Sequence, residues 1–314
     1  MKNIIAIMIA FIPVLLNAQQ NDEIRFNFEN QFIRNPAAVS VWNTLDAGIY
    51  YQQNFSAITN PPVTMFAGLQ YPLPFQNFSI GAGYYSESAG VLRHLNVNIS
   101  SSYKLLNLFN NSDYLSLGAG VNFSELGVKG SEIIVTDGGD PLAIDELEKA
   151  NSINVGFGLF YNSMRVLDER HPSTSIQIGL SGMKAVPQSI NLPSLSYEEN
   201  FYLFGMISAR IPVGNGLVVR PMIETQFENR VLINGIGHLM VVYNDQFMIG
   251  ASFDKLNAFG FQFGYSFNNI SPGTSSYSIT VNTTIPLGQI DQFINNGIGI
   301  GFQYRMWDNQ FTKF

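Results

Sequence analysis

The stretch Tyr114–Phe123, Tyr-Leu-Ser-Leu-Gly-Ala-Gly-Val-Asn-Phe, constrains the fold more than any other part of the chain. Leu115, Leu117, Ala119, Val121 and Phe123 share one face of a strand; Ser116, Gly118, Gly120 and Asn122 share the other, because strand side chains alternate. Wound as a helix, the same apolar residues would scatter around the axis, and the glycines would weaken it. The second face is small and uncharged, unlike a surface bathed in bulk water. That combination suits a wall with lipid on one side and a crowded or wet lumen on the other.

The pattern recurs along the chain. Leu45–Gln53, Val63–Tyr71, Asn77–Tyr85 and His94–Tyr103 come before it. Ser152–Tyr161, Ser173–Ser181, Phe201–Ile211, Leu217–Gln226 and Ile233–Tyr243 follow. Gln246–Phe253, Ala258–Phe267, Ser275–Ile285 and Gly297–Met306 complete the series. These are about 14 strands, an even number, each near the roughly 9–11 residues of a tilted membrane strand. Tyr51, Tyr71, Tyr103, Tyr161 and Tyr243 fall at strand ends, where an interfacial aromatic girdle belongs, and the chain ends on Phe314.

Composition points the same way. Charged residues make up 12% of the chain, about half the usual share of roughly 25%. Even so, after the first residues no run reaches the roughly 18 apolar residues of a spanning helix. With 25 Phe, 14 Tyr and 28 Gly, the expectation is an all-β protein, a transmembrane antiparallel β-barrel. Strands that cross lipid must close on themselves to satisfy the backbone. The absence of cysteine excludes disulfides and thiolate chemistry, and a net charge of −7 argues against nucleic acid as a partner.

Lys2, the apolar run Ile4–Leu16 and the small residue Ala18 read as a secretory signal peptide over residues 1–18. Residues 19–43 are irregular and polar, and are expected to form a periplasmic segment or a plug. Residues 44–314 form the expected barrel. With the N-terminus in the periplasm, the longest connections, Ser124–Asn151 and Gly182–Asn200, fall outside. Short turns such as Pro72–Gln76, Pro212–Gly216 and Asn244–Asp245 fall inside, although Asn162–Pro172 is long for an inner turn. Long loops outside and short turns inside are the habit of outer-membrane barrels.

Chemistry-bearing constellations are sparse. In the acidic loop, Asp137-Gly138-Gly139-Asp140 lacks the further spaced oxygens of a calcium loop and reads as solvated surface. His94, His171 and His238 are far apart, with no nucleophile-elbow motif beside them. His94 and His238 read as lumen or rim residues. Arg220, Glu224 and Gln226 share one strand face, with Arg210 and Asn234 as possible neighbours across the wall, which reads as a lumen network. No catalytic residue, metal site or cofactor is expected, and the protein is expected not to be an enzyme.

Three stretches in order carry a resemblance: Phe32-Ile33-Arg34-Asn35-Pro36-Ala37-Ala38; Tyr50-Tyr51-Gln52-Gln53 through Asn60-Pro61-Pro62-Val63-Thr64; and Gly81–Leu92 leading to Ser102-Tyr103-Lys104-Leu105. Together they resemble the PorP/SprF family of type IX secretion outer-membrane proteins of Bacteroidetes. The chain departs from the family pattern at Gln52-Gln53-Asn54-Phe55 and at Glu87. The resemblance implies a non-enzymatic component of the secretion machine in the bacterial outer membrane, in contact with outer-membrane lipid. Its implied partners are secreted adhesin cargo, including gliding-associated adhesins, and other type IX components. Asn35-Pro36-Ala37 is also similar to the N-terminal segment of FadL-like transporters. The alternative is therefore a FadL-like or porin-like barrel taking up a small or hydrophobic solute. Asn35-Pro36 fixes an extended entry and frees the Asn side chain to cap a turn. Pro61-Pro62 stiffens the first outer loop, and Glu87 lies in a polar outer loop with Gly90 at its tip. Rigid loops suit docking, so Asn35, Pro36, Pro61, Pro62, Glu87, Gly90, Asp137 and Asp140 are the candidate partner-docking residues.

Overall fold

Side chains that alternate between lipid and lumen need a sheet with no free edge, and fourteen strands pair in sequence into one closed antiparallel barrel. A computed structural model of the chain describes residues 30–54, 60–74, 77–129, 147–164, 173–192, 196–228, 231–254, 258–268, 275–286 and 297–307. The first seven staves are β1 (Leu45–Gln53), β2 (Val63–Pro72), β3 (Phe78–Ala89), β4 (Leu92–Leu106), β5 (Tyr114–Lys129), β6 (Leu147–Asn162) and β7 (Ser175–Met183). A separate hairpin follows, made of β8 (Gln188–Asn191) and β9 (Ser196–Glu199). The wall then continues through β10 (Tyr202–Gly214), β11 (Leu217–Glu228), β12 (Val231–Tyr243) and β13 (Phe247–Asp254). It ends with β14 (Ala258–Asn268), β15 (Ser275–Pro286) and β16 (Gly297–Met306). β1 closes the ring against β16, from Leu45 opposite Met306 to Gln53 opposite Ile298.

The faces are those the alternation demands. Ile99 is 64% exposed and its chain neighbour Ser100 1%; Phe263 is 58% exposed and Gln262 4%. Outward residues are thus mostly apolar, and many inward ones are glycine, hydroxyl or amide, as a lipid-facing wall around a polar interior requires. The apolar band has a visible upper limit. On the outward face of β5 and β6, Val121, Phe123 and Ile153 give way to an ion pair of Lys149 with Glu125 at 2.7 Å. Exposed charges there mark emergence from the hydrocarbon.

Four features differ from the sequence reading. Glu87, expected in an outer loop, lies within β3, which runs to Ala89 and leaves only Gly90 and Val91 to turn into β4. The wall strands beginning at Tyr114 and ending at Asn162 run past the expected bounds, so Ser124–Lys129 and Leu147–Asn151 belong to strands. The remainder of the expected outer loop, residues 130–146, lies outside the described residues. The connection between β7 and β10 is not a plain loop, because it contains the β8–β9 hairpin. β6 also outruns its partner: it pairs with β5 over its whole length but with β7 only from Phe157 to Asn162. The chain after β7 covers part of the remaining edge. The Ala185 amide donates to the Val155 carbonyl at 2.9 Å, and Asn154 bonds both the amide and the carbonyl of Val186.

Replacing Val121 by Arg places a charge in the apolar band. It should cost about 2–4 kcal/mol in urea unfolding from lipid vesicles, whereas Asn151→Arg, above the band, should cost under about 1 kcal/mol.

Candidate functional site

The lumen is occupied from within by the residues before β1. Gln31–Ile33 and Pro36–Ala38 form single 3-10 turns joined through Asn35. Asn35 is extended (φ −137°, ψ 103°), and its Oδ1 accepts from the Ala37 amide at 2.9 Å while Pro36 opens the second turn. The same side chain reaches the wall, donating from Nδ2 to the Leu159 carbonyl at 2.9 Å. The wall makes room with glycine. A Cβ on Gly118 would collide with the Ala37 backbone, and one on Gly158 with the Asn35 amide. The small inward face of the Tyr114–Phe123 stave is therefore the seat of a plug.

Around that seat the plug is pinned at several points. The Ser40 amide donates to Gln70 Oε1 at 2.8 Å, and the Tyr114 hydroxyl to the Val41 carbonyl at 2.7 Å. Lys104, 2% exposed, spends its ammonium on the Ser40 carbonyl and Asn43 Oδ1, each at 2.5 Å. Where the plug joins the wall, Thr44 donates to Asp46 at 2.7 Å, and Arg305 donates to the same carboxylate at 2.6 Å. Apolar packing supplements these bonds. Ala37 and Ala38 join Tyr114, Phe160, Phe204, Met206, Met222 and Met240 in one cluster, and Phe32 and Val39 join Phe66 in another. Burying side chains such as Phe32 and Val39 is worth about 1.5–3 kcal/mol each.

One ion pair ties the plug to the far wall. Arg34 Nη1 lies 3.0 Å from Glu224 Oε2, and His238 Nε2 lies 3.3 Å from the same oxygen. The sequence places Glu224 on a lumen face, but not its partners. Arg34 is 190 residues away in the chain, and His238 becomes a diagonal neighbour only once Met222 is set opposite it. Arg210, grouped with Glu224 by the sequence, pairs instead with Asp245 at 3.5 Å. The inward parity of His238 on β12 is the signal that strand pairing makes readable.

At the outer end the β8–β9 hairpin folds toward the wall, with Ile190 and Leu192 buried. Its Glu199 accepts from Ser152 at 2.8 Å and pairs with Lys184 at 2.9 Å. Burial works to raise the Glu199 carboxyl. The Lys184 charge and the hydrogen bonds from Lys184 and Ser152 outweigh it and hold the group below its ordinary 4.5.

Of the candidate docking residues, Asn35 and Pro36 are buried in the plug seat. Pro62 is buried beside the first outer connection, where its carbonyl accepts from the Asn54 amide at 2.9 Å, and Pro61 is partly buried next to it. Glu87 accepts from the Tyr85 hydroxyl at 2.9 Å near the outer end of β3, and Gly90 turns the chain into β4 at φ +57°. Asp137, Asp140 and His171 lie outside the described residues. Among the described residues no group of three or more His, Cys, Asp or Glu is placed to hold a metal ion.

A closed antiparallel barrel with an apolar exterior and a lumen occupied in part by its own N-terminal segment defines an outer-membrane β-barrel protein. The chain belongs to the family described as type IX secretion system membrane protein PorP/SprF, whose sequence profile matches residues 16–289. No curated protein matches the chain by sequence. Among solved structures, the CymD monoaromatic hydrocarbon channel is similar at 10% identity, over 90% of this chain and 94% of that one, with TM-score 0.53. The Ralstonia pickettii toluene transporter TbuX is similar at 10% identity, over 88% and 92%, with TM-score 0.51. A Pseudomonas aeruginosa FadL homologue is similar at 9% identity, over 88% and 93%, with TM-score 0.50. At these identities the likeness is one of fold alone.

Two outcomes test the site. Gly158→Leu should destabilise the plug seat by about 1–3 kcal/mol, seen as faster proteolytic cleavage within residues 30–44 while the barrel stays intact. Because the Glu199 carboxyl is held below its ordinary 4.5, its contribution to hairpin docking is complete above that value and is lost as pH falls through the lowered one. Hydrogen exchange at Ser196–Glu199 should therefore keep its protection above the ordinary 4.5 and lose it only as pH falls below that value, and Glu199→Gln should flatten that dependence.

Proposed function

We propose that this protein is a non-enzymatic component of the type IX secretion system that assists export or surface attachment of adhesin-type cargo, including gliding-associated adhesins. It docks to other parts of the machine. The observation that carries the reading is the family match over residues 16–289. The pinned plug supports it, since a lumen closed by many buried contacts suits a scaffold better than a freely open pore. The docking surface is proposed at the outer ends of the strands, where Pro61, Pro62, Glu87 and Gly90 stand, together with Asp137 and Asp140 of the acidic loop. Asn35 and Pro36 serve docking of the chain's own plug. In this reading residues 1–18 are a signal peptide, residues 19–43 the N-terminal segment and residues 44–314 the barrel.

The alternative is uptake of a small or hydrophobic solute. It is favoured by the fold shared with the CymD monoaromatic hydrocarbon channel and the toluene transporter TbuX.

Deleting the gene separates the two. The expected result is loss of surface adhesin from the cell with uptake of aromatic solutes unchanged. Intact adhesin secretion with impaired uptake would overturn the secretion reading.

A further inference from the structure

We infer that a hydrated polar seam runs past the plug along β11–β16, and that water and small ions cross the barrel through it while larger solutes are held back. The plug does not fill the lumen evenly. Its Pro36–Ala38 turn packs against β4–β7, and its apolar contacts reach Phe204, Met222 and Met240 on β10–β12. The rest of the wall is of another kind. Apart from Met248, which packs against the same apolar cluster at the start of β13, the inward side chains of β13–β15 include the hydroxyls and amides of Ser252, Gln262, Thr280 and Asn282.

Orphaned polar atoms on this side give the seam its character. Glu224 Oε1, Ser252 Oγ, Gln262 Oε1 and Gln303 Nε2 on the wall, and Gln31 Oε1 on the plug, are buried without a hydrogen-bond partner among the described residues. Buried polar atoms are rarely left unsatisfied, and polar clefts take water to supply the missing bonds. The wall atoms sit at successive heights. Gln303 lies near the periplasmic end, opposite Gly48, whereas Gln262 and Ser252 lie further up, opposite Asn282 and His238. Glu224 stands at mid-height beside Arg34, so the seam passes the one ion pair that ties plug to far wall. On the other side Ser116, Asn162 and Ser175 lie at the periplasmic ends of β5–β7 and Asn122 Nδ2 further up β5, but between them the close contact of Pro36 and Ala37 covers Gly118 and Gly158. This contact interrupts that side.

The test uses the full chain reconstituted in phosphatidylcholine vesicles, with osmotic shrinkage followed by stopped-flow light scattering. Water permeability should exceed that of protein-free vesicles several-fold, with sucrose excluded. The double variant Ser252→Leu/Gln262→Leu, which fills the seam with apolar bulk, should lose most of that gain. Ser252→Ala/Gln262→Ala, which widens the seam, should keep or increase it, as should Met240→Leu on the apolar side. Heat-modifiable electrophoretic migration confirms that each variant is a folded barrel. Permeability equal to that of empty vesicles, sucrose entry, or no difference between the Leu and Ala double variants would overturn the inference. The readout involves no cargo, so its failure is distinct from failure of the secretion reading.

Discussion

Inside a membrane no water is available to bond a bare amide or carbonyl, and this protein's architecture follows from that one shortage. Alternating strands can cross only if each finds a partner on both sides, so β1 must meet β16. Closure fixes the inside and outside of every stave at once, because a slip of one residue would turn all its apolar side chains into the lumen. It also creates a problem that a soluble sandwich does not have. The inner faces of fourteen strands enclose a space that their small side chains do not fill.

The N-terminal segment fills part of that space, and the way it does so divides the lumen. On the side of β4–β7 the wall recedes at Gly118 and Gly158, the plug's backbone comes close, and the Asn35 side chain bonds the Leu159 carbonyl. There apolar packing and the polar pins from Lys104 and Tyr114 hold it tightly. Across the lumen Met222 and Met240 pack against Ala37 and Ala38, and Arg34 reaches Glu224 beside them. The plug's carbonyls near Ser40 need donors of their own, and buried Lys104 supplies one. Desolvating an ammonium is expensive, and the two oxygens it meets are what make that burial tolerable.

The fold was legible because its signal is periodic and redundant: each stave repeats the same two-residue rule, and an error at one boundary does not disturb the rest. Strand ends were less legible. β5 and β6 continue as Ser-Glu-Leu-Gly and Glu-Lys-Ala-Asn, where charged residues enter the outward face and the apolar alternation is lost. The β8–β9 hairpin has strands of only four residues, too short to carry a periodic signal, and is held by Glu199 to Lys184 and Ser152 together with the buried Ile190. Asn35-Pro36-Ala37 could be recognised as a turn with a capping asparagine, and the cap is there. Its burial against Leu159 could not be read, since that contact spans 124 residues.

By itself the sequence determined the closed barrel, which residues face lipid, and the smallness of the inner face at Ser116, Gly118, Gly120 and Asn122, because these depend only on neighbours two apart in the chain. What occupies that inner face was decided by tertiary structure. The partners Arg34 with Glu224, Glu224 with His238, and Lys104 with Ser40 lie on segments whose nearness depends on register and closure. No local pattern encodes such distances, so the plug, its seat and the polar side left beside it exist only in the folded barrel.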